Sequence, residues 1–187
     1  MIRGFFFDLD GTLVDTYKAD YLAYKEAIKE VLAIDIDEAE FAKTHGQDMY
    51  QKLDLLAPGT SQSDAQKIAA SKKAHYKKYA DITKPNEALI GVMAHFVEHH
   101  AMVLVTTAKQ ENARIVLKKH NLEKYFSHMV FGDEISKSKP DPEAYLLALK
   151  KSNLKPEEVI AFEDSDTGIK SAEAAGIAVV HIRTFAS

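Results

Sequence analysis

Phe5-Phe6-Phe7-Asp8-Leu9-Asp10-Gly11-Thr12-Leu13-Val14-Asp15 is the stretch of this chain that decides how its fold is interpreted. The apolar run that ends at Phe7 predicts a buried strand, and Gly11 breaks that strand just past the second aspartate. Asp8 and Asp10 are two residues apart, so on an extended chain their carboxylates point roughly the same way. Neighbouring carboxylates repel each other unless a cation or a proton intervenes. The pattern therefore predicts a ligand site at the carboxyl end of a central strand, where open α/β sheets bind their ligands.

The Asp-Gly pair by itself has a second interpretation. Aspartate and glycine favour turns, and this dipeptide is a common hairpin signal. On the fragment alone a turn and a ligand site are equally acceptable, so the decision depends on segments further along the chain.

Composition limits the class of protein. The chain of 187 residues is long enough for one α/β core with a small insertion and too short for two full domains. A net charge of −4 predicts neither a nucleic-acid nor an anionic-membrane partner. The absence of cysteine excludes disulfides, zinc-thiolate sites and a cysteine nucleophile, and it fits a reducing compartment. With no apolar stretch long enough for a span and no signal-peptide pattern, we expect a cytoplasmic protein. We also expect it to be a monomer.

Strand and helix patterns alternate over residues 1–14 and 86–187, which predicts a parallel sheet with helices on both faces. The predicted strands are 2–8, 102–106, 128–131, 159–162 and 178–182. The predicted helices between them are one ending near residue 99, 110–120, one from 141 or 142 to 151, and 167–175. Residues 16–84 show helical patterns alone, near 17–33, 37–43, 48–56 and from Ser61 or Ser63 to 79. We interpret them as a helical insertion after the first strand.

Four short segments carry the chemical signal: residues 6–15, 103–106, 139–142 and 162–165. In this order they resemble the motifs of haloacid dehalogenase superfamily phosphatases with a small helical cap, of the β-phosphoglucomutase and phosphoglycolate phosphatase type. The resemblance covers the whole length of the chain. It implies a Rossmann-like catalytic core of residues 1–15 and 85–187 and a cap of residues 16–84.

The two aspartates of the first segment suit phosphoryl transfer. A carboxylate can attack phosphorus and form an aspartyl phosphate, which water then hydrolyses, and Asp8 is the predicted nucleophile. Asp10 is predicted to protonate the leaving alcohol and then to deprotonate the attacking water. Asp10 therefore needs a raised pKa, whereas Asp8 must stay ionised.

A cation is the simplest way to keep Asp8 ionised, and Mg²⁺ prefers oxygen ligands of this kind. The predicted carboxylate ligands are Asp8 and Asp164, with the backbone carbonyl of Asp10 as a further ligand. Glu163 is expected to bind the cation directly or through water. The alternative is that Glu163, Asp164 and Ser165 form a helix N-cap, and the two roles are compatible.

Four residues outside the acidic pairs are candidates for contact with phosphate. Thr106 ends an apolar strand, where its hydroxyl could donate to a phosphate oxygen or have a structural role. Thr107 and Lys109 on the following loop are weaker candidates. Lys139 looks like part of a solvated loop in isolation, but in the resemblance it is the cation that balances Asp8 and the transferring phosphoryl group.

The cap departs from the β-phosphoglucomutase pattern. Gly46 occupies a matching position, but Met49 stands where that enzyme has a phosphate-binding arginine, and Asp20 stands where it has a cap histidine. Without them a bisphosphate intermediate is poorly held. The residues that remain as candidates for substrate contact, or as exposed polar residues of the cap, are His45, Gln47, Asp48, Lys72 and Lys73.

We also expect the loop around Gly46 to face Asp8 across a cleft and to carry specificity, with Gly46 and Gln47 as substrate-binding residues. Closure of the cap would then exclude bulk water. The hinges are expected at the two crossings, near Asp15-Thr16 and near Lys84-Pro85.

Together these observations predict a Mg²⁺-dependent phosphomonoester hydrolase acting on a small metabolite, such as a sugar phosphate or phosphoglycolate. A hexose-phosphate mutase is the alternative within the same superfamily. A binding protein on an inactive phosphatase fold is a third hypothesis, against which the intact residues Asp8, Asp10, Lys139 and Asp164 argue.

Overall fold

The computed structural model describes residues 1–183 and 185, and the chain forms two compact units. The core comprises Met1–Asp15 and the chain from Lys84 onward, and the cap comprises Thr16–Thr83. The return crossing therefore lies one residue before the position taken from the sequence, because Lys84 pairs with a strand of the core.

The strands are β1 (Gly4–Phe7), β2 (Val14–Asp15), β3 (Lys84–Pro85), β4 (Ala101–Val105), β5 (His128–Val130), β6 (Val159–Glu163) and β7 (Ala178–His181). Five of them form one sheet in the order β5-β4-β1-β6-β7, and every neighbouring pair in it is parallel. The predicted α/β fold is confirmed, with β1 at the centre of the sheet.

The helices of the cap are α1 (Tyr17–Leu32), α2 (Glu38–Ala42), α3 (Met49–Leu56) and α4 (Gln62–Tyr79). Those of the core are α5 (Glu87–Phe96), α6 (Gln110–Lys119), α7 (Glu143–Ser152) and α8 (Asp166–Ala174). Most ends lie within two residues of the predicted bounds. The largest difference is at α5, which stops at Phe96 rather than near residue 99.

Strand β1 is buried on both faces, as expected of a central parallel strand. Phe6 packs into the apolar cluster that contains Tyr145 of α7. Phe5 packs against Phe96 of α5, with ring centroids 5.5 Å apart. Because consecutive side chains of a strand point to opposite faces, these contacts place helices on both sides of the sheet.

An antiparallel ribbon of β2 and β3 joins the two crossings, and it was not predicted. Val14 pairs with Pro85 and Asp15 with Lys84. Asn86 extends the ribbon, since its backbone N–H donates to the Leu13 carbonyl at 2.8 Å. Two-residue strands are too short to show a hydrophobic period, so the sequence carries no signal for them.

The cap has its own apolar centre. Tyr21 and Tyr24 of α1 are buried and lie with their ring centroids 5.5 and 5.7 Å from that of Phe41, which confirms that they pack inside the cap. Ser61 caps α4 by accepting from the backbone N–H of Asp64. Within the part of the chain that the structure describes, no helix has the length and apolar character needed to cross a membrane.

Candidate active site

Asp8 lies immediately beyond the end of β1, at the carboxyl edge of the sheet. Its backbone N–H donates to the Phe162 carbonyl of β6 at 3.1 Å, and the residue is 8% exposed. The strand ends one residue earlier than predicted and Leu9 lies in a turn, so Asp8 and Asp10 do not share a continuous extended segment. The turn interpretation of the Asp-Gly pair is therefore confirmed, and the ligand site at this strand end stays a prediction.

Lys139 reaches this strand end from the loop before α7. Its ammonium group donates to Asp8 Oδ1 at 2.7 Å, to Glu163 Oε1 at 2.6 Å and to the Val105 carbonyl at 3.0 Å. These three bonds use all of its hydrogens, and the residue is only 4% exposed. Lys139 is therefore a buried part of the acidic site and not a residue of a solvated loop.

The charges at the site shift the pKa values of Lys139 and Asp8. Burial lowers the pKa of Lys139, but the negative charges of Asp8 and Glu163 outweigh burial and raise it above its usual value. Burial raises the pKa of Asp8, and Lys139 offsets this only in part because Glu163, Asp164 and Asp10 add negative charge. Lys139 thus stays charged, and Asp8 needs more positive charge nearby to remain fully ionised.

Asp8, Glu163 and Asp164 fit a metal ion. Each contributes a carboxylate oxygen, and these oxygens lie within 4.8 Å of one another. Two of these carboxylates, those of Asp8 and Glu163, accept from the one ammonium group of Lys139. Glu163 Oε2 is buried and has no hydrogen-bond partner among the residues that the structure describes. An unpaired buried carboxylate oxygen is costly, and a cation would satisfy it.

Asp164 is held by the first segment of the chain. The Thr12 hydroxyl donates to Asp164 Oδ1 at 2.9 Å. Gly11 has a φ of +89° and lies against the same carboxylate, so a side chain at this position would be strained and would collide with Asp164. The Gly11 turn therefore lets β1 and β6 bring their acids together.

Helix α8 begins directly after the acidic pair. Ser165 is its N-cap and accepts from the Gly168 N–H at 3.1 Å. Ser165 is thus the residue of this segment that caps the helix. The carboxylates of Glu163 and Asp164 make their hydrogen bonds with other residues.

Tyr145 and Gly168 contact Glu163, and neither was identified from the sequence. The Tyr145 hydroxyl donates to Glu163 Oε1 at 2.6 Å, and Gly168 lies against the Glu163 carboxylate. Burial, followed by the charge of Glu163, raises the pKa of Tyr145 well above its ordinary value, so it remains a donor. Helical spacing could indicate a buried tyrosine on α7, but it does not reveal which acceptor the hydroxyl finds.

The phosphate-contact candidates lie after β4. Thr106 is buried, and its hydroxyl oxygen accepts from the Ala108 N–H at 3.0 Å, which leaves the hydroxyl hydrogen as a donor. Thr107 is half-buried on the same loop, and Lys109 is the N-cap of α6. Thr106 therefore has a structural role, because its hydroxyl oxygen holds the loop at Ala108. Its hydroxyl hydrogen can still be donated to a phosphate oxygen.

The cap candidates occupy different local environments. His45, Gly46 and Gln47 lie in the turn between α2 and α3, where Gly46 has a φ of +74°. Asp48 caps α3 by accepting from the backbone N–H groups of Tyr50 and Gln51.

Lys72 lies within the cap and is paired with Asp20, its ammonium group 2.6 Å from Oδ1. Lys52 lies 3.5 Å from the other oxygen of the same carboxylate. The three residues join α1, α3 and α4.

The fold and the buried acidic strand end are those of an α/β enzyme, and comparisons with known proteins identify the family. The family model described as haloacid dehalogenase-like hydrolase matches residues 5–182. The chain therefore belongs to the haloacid dehalogenase-like hydrolase family.

Two relatives with curated names are phosphatases that act on sugar phosphates. A phosphorylated carbohydrates phosphatase of Thermotoga maritima is 34% identical over 91% of this chain and 80% of its own length. The fructose-1-phosphate phosphatase YqaB of Escherichia coli strain K12 is 26% identical, with 96% of each chain covered. The predicted enzyme class, a haloacid dehalogenase-like phosphatase, is confirmed by these relatives and by the family match.

A solved structure shares the fold. The crystal structure of β-phosphoglucomutase from Clostridium difficile is 24% identical with a TM-score of 0.84, over 97% of this chain and 84% of that one. At this identity the similarity shows the fold alone.

Proposed function

We propose that this protein is a Mg²⁺-dependent phosphomonoester hydrolase that acts on a small phosphorylated sugar through an aspartyl phosphate at Asp8. The observation that carries the proposal is the buried pair of Asp8 and Lys139 beside Glu163 and Asp164 at the end of the central strand. The two phosphatase relatives support the substrate class, because one is named for phosphorylated carbohydrates and the other for fructose 1-phosphate.

Asp8 is the proposed nucleophile. Its backbone is fixed by β6 and its Oδ1 by Lys139, so the carboxylate is already positioned before substrate arrives. Preorganisation of this kind removes the cost of orienting the attacking group during the reaction. Attack on phosphorus yields an acyl phosphate, and Lys139 beside it stabilises negative charge on the transferring group.

Asp10 is the proposed acid and base. It protonates the departing alcohol in the first half-reaction and takes a proton from the attacking water in the second. Thr106 is the proposed donor to a phosphate oxygen, with Thr107 beside it on the loop.

The cation is proposed to be Mg²⁺, held by the carboxylates of Asp8, Asp164 and Glu163 and by the Asp10 carbonyl. All of these are oxygen ligands, the kind that Mg²⁺ prefers. When bound, the ion supplies positive charge that keeps Asp8 ionised and offsets charge on the phosphoryl oxygens.

Two experiments test this function. Asp8→Asn should abolish hydrolysis of p-nitrophenyl phosphate and of a panel of sugar phosphates, with an unchanged circular dichroism spectrum. Asp166→Asn, at an exposed aspartate two residues beyond Asp164, is the matched control and should keep the wild-type rate. EDTA should abolish the phosphatase activity of the wild type, and added Mg²⁺ should restore that activity. Residual activity of Asp8→Asn above a few per cent would exclude Asp8 as the nucleophile.

A hexose-phosphate mutase is not favoured. Met49 cannot hold a second phosphate as an arginine would, and Asp20 is engaged by two lysines within the cap. Phosphorus NMR on β-glucose 1-phosphate distinguishes the two reactions, because a hydrolase releases inorganic phosphate and a mutase forms glucose 6-phosphate.

A further inference from the structure

The Glu163 carboxylate is held from two sides by residues that are neither nucleophile nor acid. We propose that Tyr145 and Gly168 are positioning residues, which fix Glu163 so that Oε1 is committed to protein donors and Oε2 is left for the cation. This inference rests on the proposed function, since it assigns part of the magnesium site.

The first side is Tyr145. It is fully buried, and its hydroxyl donates to Oε1 at 2.6 Å. Lys139 donates to the same oxygen, also at 2.6 Å. The two oxygens of Glu163 are therefore unequal: Oε1 has two donors, and Oε2 has none in the described part of the chain. A carboxylate arranged in this way presents one oxygen to a cation without having to rotate.

The second side is Gly168 in the first turns of α8. A Cβ at this position would overlap the Glu163 carboxylate, including both of its oxygens. A carboxylate at the end of a free side chain could move aside, but Lys139 and Tyr145 prevent that movement here. Alanine is more favourable than glycine in a helix, so α8 itself gives no reason for glycine at this position. The space that Gly168 leaves is the space that Glu163 occupies.

Gly91 provides the contrast. It lies in α5, it is exposed, and a Cβ there would meet no atom within 4 Å. An alanine at Gly91 changes helix propensity and touches nothing, whereas an alanine at Gly168 changes propensity and also displaces Glu163.

Mg²⁺ titration of the full-length protein by calorimetry tests the role of Tyr145. Tyr145→Phe keeps the ring and removes the hydroxyl, so we expect Mg²⁺ binding to weaken by about tenfold, as is common when a partner of a metal ligand is lost. The Mg²⁺ concentration for half-maximal activity should rise by a larger factor than kcat falls. Tyr21→Phe, at a buried tyrosine of the cap, is the control and should bind Mg²⁺ as the wild type does.

The same titration tests Gly168. Gly168→Ala should weaken Mg²⁺ binding by a similar factor, whereas Gly91→Ala should leave it unchanged. If Gly168→Ala does not fold, the Mg²⁺ titration of Tyr145→Phe alone tests the positioning of Glu163. That variant adds no atoms, so it cannot create a steric clash.

The possible outcomes distinguish a failure of the positioning role of Tyr145 and Gly168 from a failure of the proposed magnesium-dependent function. A wild type that binds no Mg²⁺ would contradict the proposed magnesium site itself. A wild type that binds Mg²⁺, with Tyr145→Phe and any folded Gly168→Ala binding it equally well, would overturn the positioning role and leave the hydrolase proposal standing.

Discussion

At the scale of single residues, Lys139 supplies the positive charge that pairs with the carboxylates of Asp8 and Glu163. It is buried, and it donates to the carboxylates of Asp8 and Glu163 as well as to the Val105 carbonyl. Removing one partner of a buried ion pair leaves the other charges without compensation, which destabilises more than the pair itself contributes. The loss in free energy of unfolding when Lys139 is replaced should therefore depend on whether a cation is present.

We predict that Lys139→Met lowers the free energy of unfolding by about 3–5 kcal/mol in EDTA. Added Mg²⁺ should recover more stability in this variant than in the wild type, because the ion offsets the same carboxylates. Urea denaturation with and without Mg²⁺ measures both quantities. Lys137→Met, where the side chain is 71% exposed, is the control and should stay close to the wild type. An equal loss for Lys139→Met in both conditions would contradict the electrostatic explanation.

The sequence reveals some of these residues and not others. Asp8, Asp10 and Asp164 stand at strand ends where apolar patterns stop, so position and chemistry together single them out. Lys139 was identified through its resemblance to a family motif, because the local pattern around it is that of a solvated loop. Tyr145 was missed, since its partner Glu163 is 18 residues away and the contact depends on how α7 packs.

At the scale of elements, the cap helices are joined by a charged contact as well as by apolar packing. Asp20 of α1 pairs with Lys72 of α4 and Lys52 of α3. Burial raises the pKa of Asp20, but the two lysines outweigh it and bring the pKa below its ordinary 3.8. A carboxylate whose pKa is lower in the folded state adds stability above its unfolded pKa, and the added stability disappears as the pH falls through the folded value.

We predict that Asp20→Asn destabilises the protein by on the order of 1–3 kcal/mol at neutral pH, because two lysines then face each other without the carboxylate. The difference from the wild type should shrink as the pH drops below about 3.8, and urea denaturation over a pH series measures it. Asp35→Asn removes a 62% exposed partner of Lys29 and should have little effect at any pH. A difference for Asp20→Asn that does not change with pH would rule out this origin.

The elements themselves could largely be predicted, because strands of apolar residues alternate with amphipathic helices, five of which have Ser, Asp or Asn as their N-cap. The β2–β3 ribbon could not be predicted. Its pairing joins residues about 70 positions apart through backbone hydrogen bonds, and two-residue strands leave no periodic pattern.

At the scale of the whole molecule, the residues proposed to carry the chemistry all lie in the core, which leaves the cap as the candidate source of specificity. We propose that the turn of His45, Gly46 and Gln47 contributes to substrate selection. Gln47 supports this, because its Oε1 is buried and has no hydrogen-bond partner in residues 1–183 and 185. An unpaired acceptor of this kind suits a hydroxyl group of a sugar.

We predict that Gln47→Ala changes the ranking of kcat/KM among sugar phosphates and leaves the p-nitrophenyl phosphate rate within about twofold, since loss of one hydrogen bond is worth about 1 kcal/mol. Gln66→Ala, at an exposed position of α4, is the control. Equal losses on every substrate would instead assign the turn a structural role within the cap.

The central claim is that phosphate passes through the Asp8 carboxylate, and trapping that intermediate tests it most directly. Enzyme quenched during turnover of a sugar phosphate can be treated with borohydride, which reduces an acyl phosphate to an alcohol, and then digested with trypsin. The tryptic peptide from Gly4 to Lys18 contains Asp8, Asp10 and Asp15, and fragmentation in the mass spectrometer tells them apart. We expect homoserine at position 8 in the Mg²⁺-loaded wild type and none in an EDTA-treated sample. Homoserine at another aspartate, or turnover with no reduced residue in the chain, would contradict the account.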